Sequence, residues 1–273
     1  MPFRKRSRPN SINREPFYGN GVVTLLAILA IGFLLLPAVV LLAHTGLHQL
    51  AEDWRNWGSA PLVLSLSTTV VAMGVLVVAG TPLAWRLSRD PKGLFRSVEY
   101  LLMIPLLMPP LVIGLLLVYL YGPYSFLGRW LSVLHVSGSN SFFAVVLAEV
   151  YEAAPYYILG ALSAFDQVDR ALIHTSYSLG LPPGRTFCRI TLPLALPGLL
   201  VAFSMAWARA IGAFGAVIVV AYYPRGLPVA IWVALQEEGL SSALPLALIL
   251  VLVSLPLPLL TVLWRKHRVV HSD

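Results

Sequence analysis

Charge is scarce in this chain of 273 residues: Asp, Glu, Lys and Arg together make up 11% of it, against 58% hydrophobic residues. A soluble domain carries about 25% charge and about 45–50% apolar residues, so most of this chain is not a water-facing fold. Cysteine is nearly absent. The single Cys188 excludes an intrachain disulfide and a cysteine-based metal cluster. No GxxxxGK[ST] phosphate loop occurs, so any ATP chemistry has to come from a partner. HExxH and GxSxG are missing too, and six scattered histidines form no recognisable catalytic or metal set. The sequence has no internal repeat, low-complexity tail or soluble domain.

What is present is long apolar runs. Six can be read, roughly Val22–Ala43, Pro61–Trp85, Tyr100–Tyr121, Ser141–Ala164, Leu194–Ala221 and Ala243–Trp264. Each exceeds the ~20 residues a helix needs to cross about 30 Å of hydrocarbon. Backbone groups in lipid must be satisfied within the segment, which predicts helices. The first run follows Arg4, Lys5, Arg6 and Arg8, as a signal peptide would. Its 22 uncharged residues exceed the usual apolar core of about 7–15, so a retained span is expected.

The net charge of +7 does not gather in one patch, as nucleic-acid binding would require; the basic residues are sorted by loop. With the N-terminus inside, the inner segments hold Arg4, Lys5, Arg6, Arg8, Arg14, Arg86, Arg89, Lys92, Arg96, Arg170, Arg185, Arg189, Arg265, Lys266 and Arg268. The outer segments hold only Arg55, Arg129 and Arg225. Both termini are therefore expected in the cytoplasm. The expectation is an all-α integral membrane protein of about six transmembrane helices. Residues 1–21 form a basic N-terminal segment, 22–265 the membrane domain and 266–273 a tail. In the outer segments Trp54, Trp57, Tyr124 and Trp130 suit the headgroup zone.

One inner loop, Asp166–Leu192, is long enough to be structured. Asp166 or Asp169 is a candidate cap for a short helix running to about Leu179. Gly180 suits a left-handed helix end. Pro182 and Pro183 prevent simple continuation, and a second short helix is predicted from Pro183 toward Pro193. Leu179, Leu181 and Phe187 would be available for burial.

This loop resembles the EAA loop of ABC-importer permeases, Glu-Ala-Ala-x3-Gly-x9-Ile-x-Leu-Pro. Gly180, Ile190, Leu192 and Pro193 match in register, while His174, Thr175 and Ser176 occupy the Glu-Ala-Ala positions without matching. TPLAWRLSR (81–89), IPLLMPPLVIGLLLVYLYGP (104–123) and WARAIGAFGAVIVVA (207–221) look like the molybdate, tungstate and sulfate branch of that family. There the last segment usually reads Ala-Arg-Ala-x-Gly-Glu-Phe-Gly; Ala213 here replaces the glutamate. The resemblance covers about residues 60–265. It implies the type I importer fold and an ATPase-coupling loop at 166–193. It also implies two ATPase subunits carrying ATP and Mg, a second permease copy or paralogue, an external solute-binding protein and an inner- or plasma-membrane location. No cofactor is expected on this chain itself.

Arg209 falls well inside the fifth run, where a lone charge costs at least ~2.5–3.5 kcal/mol, so it needs a partner or water. Glu149 and Glu152, three apart on the fourth helix, are the available carboxylates. Either would pair with Arg209 and stand in for the glutamate missing at 213; alternatively, Arg209 meets an oxyanion in the pathway through its forked donors. Pro105, Pro109 and Pro110 interrupt the third run and Pro155 the fourth, marking a candidate gate or packing kinks. Gly212 and Gly215 suit close helix approach, at a subunit interface or within one subunit. The functional expectation is an oxyanion permease working by alternating access, with molybdate or tungstate ahead of sulfate or thiosulfate. An ion-coupled secondary transporter is the rival; it would call for inverted repeats and midplane acidic sites such as Glu149 and Glu152.

Overall fold

The computed structural model describes residues 21–45, 59–89, 96–261 and 263, and among them every regular element is helical. The basic N-terminal segment, Lys92, Trp54, Trp57, Arg55 and the basic C-terminal cluster lie outside the described residues. Helix α1, Gly21–His44, is a unit by itself, apolar all round, with no buried residue. That pattern fits a helix solvated by lipid.

The second unit holds the remaining helices. They are α2 (Ala60–Ser88), α3 (Arg96–Leu107), α4 (Pro110–Tyr121), α5 (Phe126–Val133), α6 (Phe142–Asp166) and α7 (Arg170–Ser178). Then come α8 (Pro183–Ile211), α9 (Gly215–Val220), α10 (Leu227–Glu237) and α11 (Leu240–Thr261). Helices α1, α2, α6, α8 and α11 are long and apolar enough to cross a membrane.

Three expectations are corrected. The third apolar run is not one helix: α3 and α4 meet at a bend of 108°. A residue preceding proline is pushed out of the helical region, and Pro109 precedes Pro110. Pro109 accordingly turns extended (φ −58°, ψ 134°), and Pro110 restarts the helix at its first turn. Pro105 and Pro155 stay inside unbroken helices. The fifth run also divides: α8 stops at Ile211 and α9 begins at Gly215. The presumed outer loop before the last span contains α10, whose Val229, Ala230, Val233 and Ala234 are buried. Eleven residues are too few for a length-based reading of spans to register.

Two helices carry a wide π turn, Leu76–Gly80 in α2 and Phe187–Thr191 in α8. Each ends two residues before a proline, Pro82 and Pro193. Proline lacks the N–H for the i−4 carbonyl and its ring crowds that carbonyl, so the backbone widens there. In α8 the Leu192 N–H reaches back five residues to the Phe187 carbonyl.

The core centres on α6 packed against α8, α2 and α3. Small residues set the α6–α8 distance. A Cβ at Gly160 would lie 2.7 Å from the Ala202 Cβ, and one at Gly198 would lie 2.6 Å from the Ala164 Cβ. These four form a small-x3-small pair on each helix, which lets the backbones close up. Gly215 packs within the same subunit: a Cβ there would sit 2.6 Å from Pro110 Cβ. Gly198→Ala is expected to lower the melting temperature of the purified chain by several degrees, an overpacking effect of about 1–3 kcal/mol. Adding Ala164→Gly should restore it. An unchanged melting curve for the single variant would refute this account of the contact.

Candidate functional site

At one end of the core lies the loop singled out in the sequence. The Asp169 carboxylate accepts from the Ala171 N–H at 2.8 Å and so caps α7, while Asp166 ends α6 instead. At the other end Gly180 adopts φ +81°. Its N–H donates to the Tyr177 carbonyl at 2.9 Å, and the Leu181 N–H donates to the Ser176 carbonyl at 3.0 Å. These two bonds with a left-handed glycine make a Schellman end, which needs residue 180 to tolerate positive φ.

The second, separate short helix is not formed. Pro183 is the first residue of α8 itself, which continues through the π turn into the span. The knob is thus one short helix joined by a tight turn directly to a membrane helix. Its inner face is Ile173 and Ser176, both buried; the Ser176 and Thr186 hydroxyls bond at 3.0 Å. Phe187 is half-buried against Trp85 (ring centroids 4.9 Å) and Phe165 (6.1 Å). Leu181, Ile190 and Leu192 are also half-buried, whereas Pro193 is exposed. His174, Thr175 and Tyr177 remain exposed, and Leu179 is 75% exposed. Of the three apolar residues expected to bury, only Leu179 is left pointing outward.

Sequence reasoning passed over the polar contacts that tie this loop to α2. Arg89, at the end of α2, donates to the Thr191 hydroxyl at 3.4 Å, and Arg170 donates to the Ser88 carbonyl at 3.5 Å. Burial, with Arg170 close by, lowers the Arg89 pKa from its ordinary value.

The second cluster lies within the spans. Arg209 on α8 and Glu152 on α6 form an ion pair at 2.6 Å, and the Glu152 side chain is fully buried. The other Glu152 oxygen accepts from the Ala216 N–H at 3.2 Å, at the start of α9. One carboxylate therefore joins three segments and reaches the break around Gly212–Phe214, beside the buried Ala213. Glu149 does not meet Arg209. It accepts from Thr68 at 2.8 Å and Thr69 at 3.4 Å on α2, with all three residues buried. The adjacent Thr68-Thr69 in an apolar run was the available signal for that contact. Pro109 and Pro110 stand at the α3–α4 break, and α4 packs on α9 through Gly114 and Gly215.

Residues 76–268 match the family described as binding-protein-dependent transport system inner membrane component. The chain is 41% identical over 239 residues to a probable molybdenum ABC transporter permease protein of Haloferax volcanii, covering 85% of each. It is 32% identical over 244 residues to the molybdenum transport system permease protein ModB of Mycobacterium tuberculosis, covering 85% of this chain and 89% of that one. Among solved structures it is similar to a chain of a bacterial alginate ABC transporter, crystallised in complex with an alginate pentasaccharide-bound periplasmic protein. The TM-score is 0.63 at 17% identity, covering 88% of this chain and 91% of that one, a likeness of fold.

Removing one member of a buried ion pair leaves the other uncompensated, at about 3–5 kcal/mol. Arg209→Met is therefore expected to melt well below the native protein in a thermal assay. The double variant Arg209→Met, Glu152→Gln should regain most of the difference. A single variant as stable as the native chain would show that the pair holds nothing together.

Proposed function

We propose that this chain, which belongs to the binding-protein-dependent transport system inner membrane component family, forms the translocation pathway for molybdate or tungstate in an ATP-driven importer. The fold is that of type I ABC-importer permeases: an all-helical, multi-pass membrane protein with a transport rather than a catalytic role. The observation that carries the substrate is the 41% identity over 85% of each chain with a relative named as a probable molybdenum permease.

In this reading two such permeases, as copies or paralogues in the cell membrane, enclose the pathway. Two ATPase subunits carry the nucleotide, and an external binding protein delivers the oxyanion. The exposed side of α7, with His174 and Thr175, meets the ATPase. Ile173, buried in the core, and Ser176, bonded to Thr186 at the start of α8, hold α7 in place, so a displacement of α7 is passed to the spans rather than absorbed in a loose loop. That rigidity supports the coupling role of Gly180, Ile190, Leu192 and Pro193, which shape the turn and the start of α8. Arg209 is held by Glu152, which supports a structural use of its charge over tight binding of a passing oxyanion. A site in a pathway must also release what it binds. The break at Pro109–Pro110, packed on α9, is the element we assign to gating; irregular backbone at depth is tolerated where it is buried or lines water.

The deciding experiment is reconstitution of the chain with a candidate ATPase and binding protein, followed by ATP hydrolysis and uptake with molybdate, tungstate or sulfate. Hydrolysis that rises with the molybdate- or tungstate-loaded binding protein, with matching uptake, is the expected result. Stimulation by sulfate alone would reassign the substrate. Failure to form a complex with any ATPase, in the native chain and in His174→Glu alike, would overturn the reading. A β-branched side chain at φ +81° is strained by roughly 1–2 kcal/mol. Gly180→Val is thus expected to leave a folded chain with at least several-fold weaker coupling of hydrolysis to uptake; unchanged coupling would refute a role for the turn.

A further inference from the structure

A basic pocket and an apolar groove meet at Trp85. The pocket, about 680 Å³, is lined by Arg86, Arg89, Arg170, His174 and Tyr177, at the end of the spans that carries α7. The groove, about 610 Å³, runs between α2 and α8, and its walls include Val77, Val78, Phe187, Leu196 and Phe203. Trp85 borders both, and the first turn of α8 contributes Pro183 to one and Gly184 to the other. The groove is flanked by the two π turns, whose prolines prevent regular winding at that level.

The two cavities have complementary chemistry for a single amphiphile. Among the described residues, the bonds of Arg89 and Arg170 are the long ones given above, to a hydroxyl and a carbonyl. Three arginines and no carboxylate line the pocket among the described residues; Asp166 acts on Arg89 and Arg170 from outside that lining, with Glu99 beside it. Guanidinium groups match tetrahedral oxyanions through paired donors. An oxyanion alone would use the pocket and leave the groove to something else. A phospholipid uses both, its phosphate among the arginines and an acyl chain along Val78, Phe187 and Leu196. Basic pockets between spans at the cytoplasmic side of a membrane take anionic headgroups in this way.

We propose that this pair of cavities binds one anionic phospholipid, phosphate in the basic pocket and one chain in the groove. The bound lipid ties the end of α2 to α7 and to the start of α8, the segments between which Arg89 and Arg170 already reach. The site depends on neither ATP nor a transported oxyanion, so its test is separate from that of the transport reading.

The test is native mass spectrometry of the full chain released from nanodiscs of phosphatidylglycerol or of phosphatidylcholine. One phosphatidylglycerol is expected to persist through delipidation, with retention roughly tenfold above phosphatidylcholine, the scale of one or two basic contacts. Arg89→Gln with Arg170→Gln should abolish that preference. Leu196→Trp, which fills the groove and keeps the arginines, should lower lipid retention without changing the binding of glycerol 3-phosphate. Equal retention of the two lipids by the native chain would overturn the proposal, whatever the variants do. So would saturable binding of inorganic phosphate or molybdate with no lipid retained, which would make the pocket a free-oxyanion site.

Discussion

The register between α6 and α8 is the constraint on which the rest of the second unit depends. Gly160 and Ala164 on one helix face Ala202 and Gly198 on the other, and the close approach is possible only where these small residues coincide. Along antiparallel helices this fixes every other pairing. Glu152 lies eight residues before Gly160 and Arg209 seven after Ala202, which brings them level. A slip of one turn would separate them by about 5.4 Å and leave a buried carboxylate without its cation. Packing and charge therefore select the same register. The loop with α7 joins the far ends of these same two helices, so α7 is mounted on a closely packed pair.

Proline shapes what the helices do elsewhere, and its effect depends on what precedes it. Pro105 and Pro155 are absorbed within helices, Pro82 and Pro193 widen the turn before them, and the consecutive Pro109–Pro110 breaks the chain direction by 108°. Of these cases only the last takes a residue out of the helical region, Pro109 at ψ 134°, whereas Thr81 and Leu192, each before a single proline, stay helical. The α3–α4 break packs on α9 through Pro110 and Gly215, and residues of both π turns line the groove between α2 and α8.

Much of this was legible in the sequence because lipid imposes length and apolarity on any spanning helix. Four of the six runs correspond to continuous helices within a few residues, and the cap at Asp169 and the positive φ at Gly180 follow from local chemistry. What could not be read depends on tertiary neighbours. Glu149 and Glu152 share a helix face, and nothing in their spacing says which meets Arg209; the choice is made by Thr68 and Thr69 on α2, which take up Glu149. The 108° bend looked the same as a kink, since proline content reports a lost hydrogen bond and not the direction the chain then takes. Helix α10 was hidden by its length, and the continuity of α8 from Pro183 was hidden by Gly184 and the π turn, which break the expected periodicity.

Position 213, where the motif this segment resembles carries glutamate, holds a buried alanine beside a region that calls for an anion. The break after α8 leaves the start of α9 with free backbone N–H groups, and Arg209 enters the same region with a full positive charge. Both call for an anion, and neither specifies which helix supplies it. Glu152 answers both at once, with one oxygen on Arg209 and the other on the Ala216 N–H. Alanine at 213 then has a positive reason to be small. A second carboxylate beside Glu152 would add like-charge repulsion at a site whose cation is already paired, and the space it would need is closed by packing to 2% exposure. In this chain the anion for Arg209 and for the Ala216 N–H comes from α6, with no carboxylate at 213.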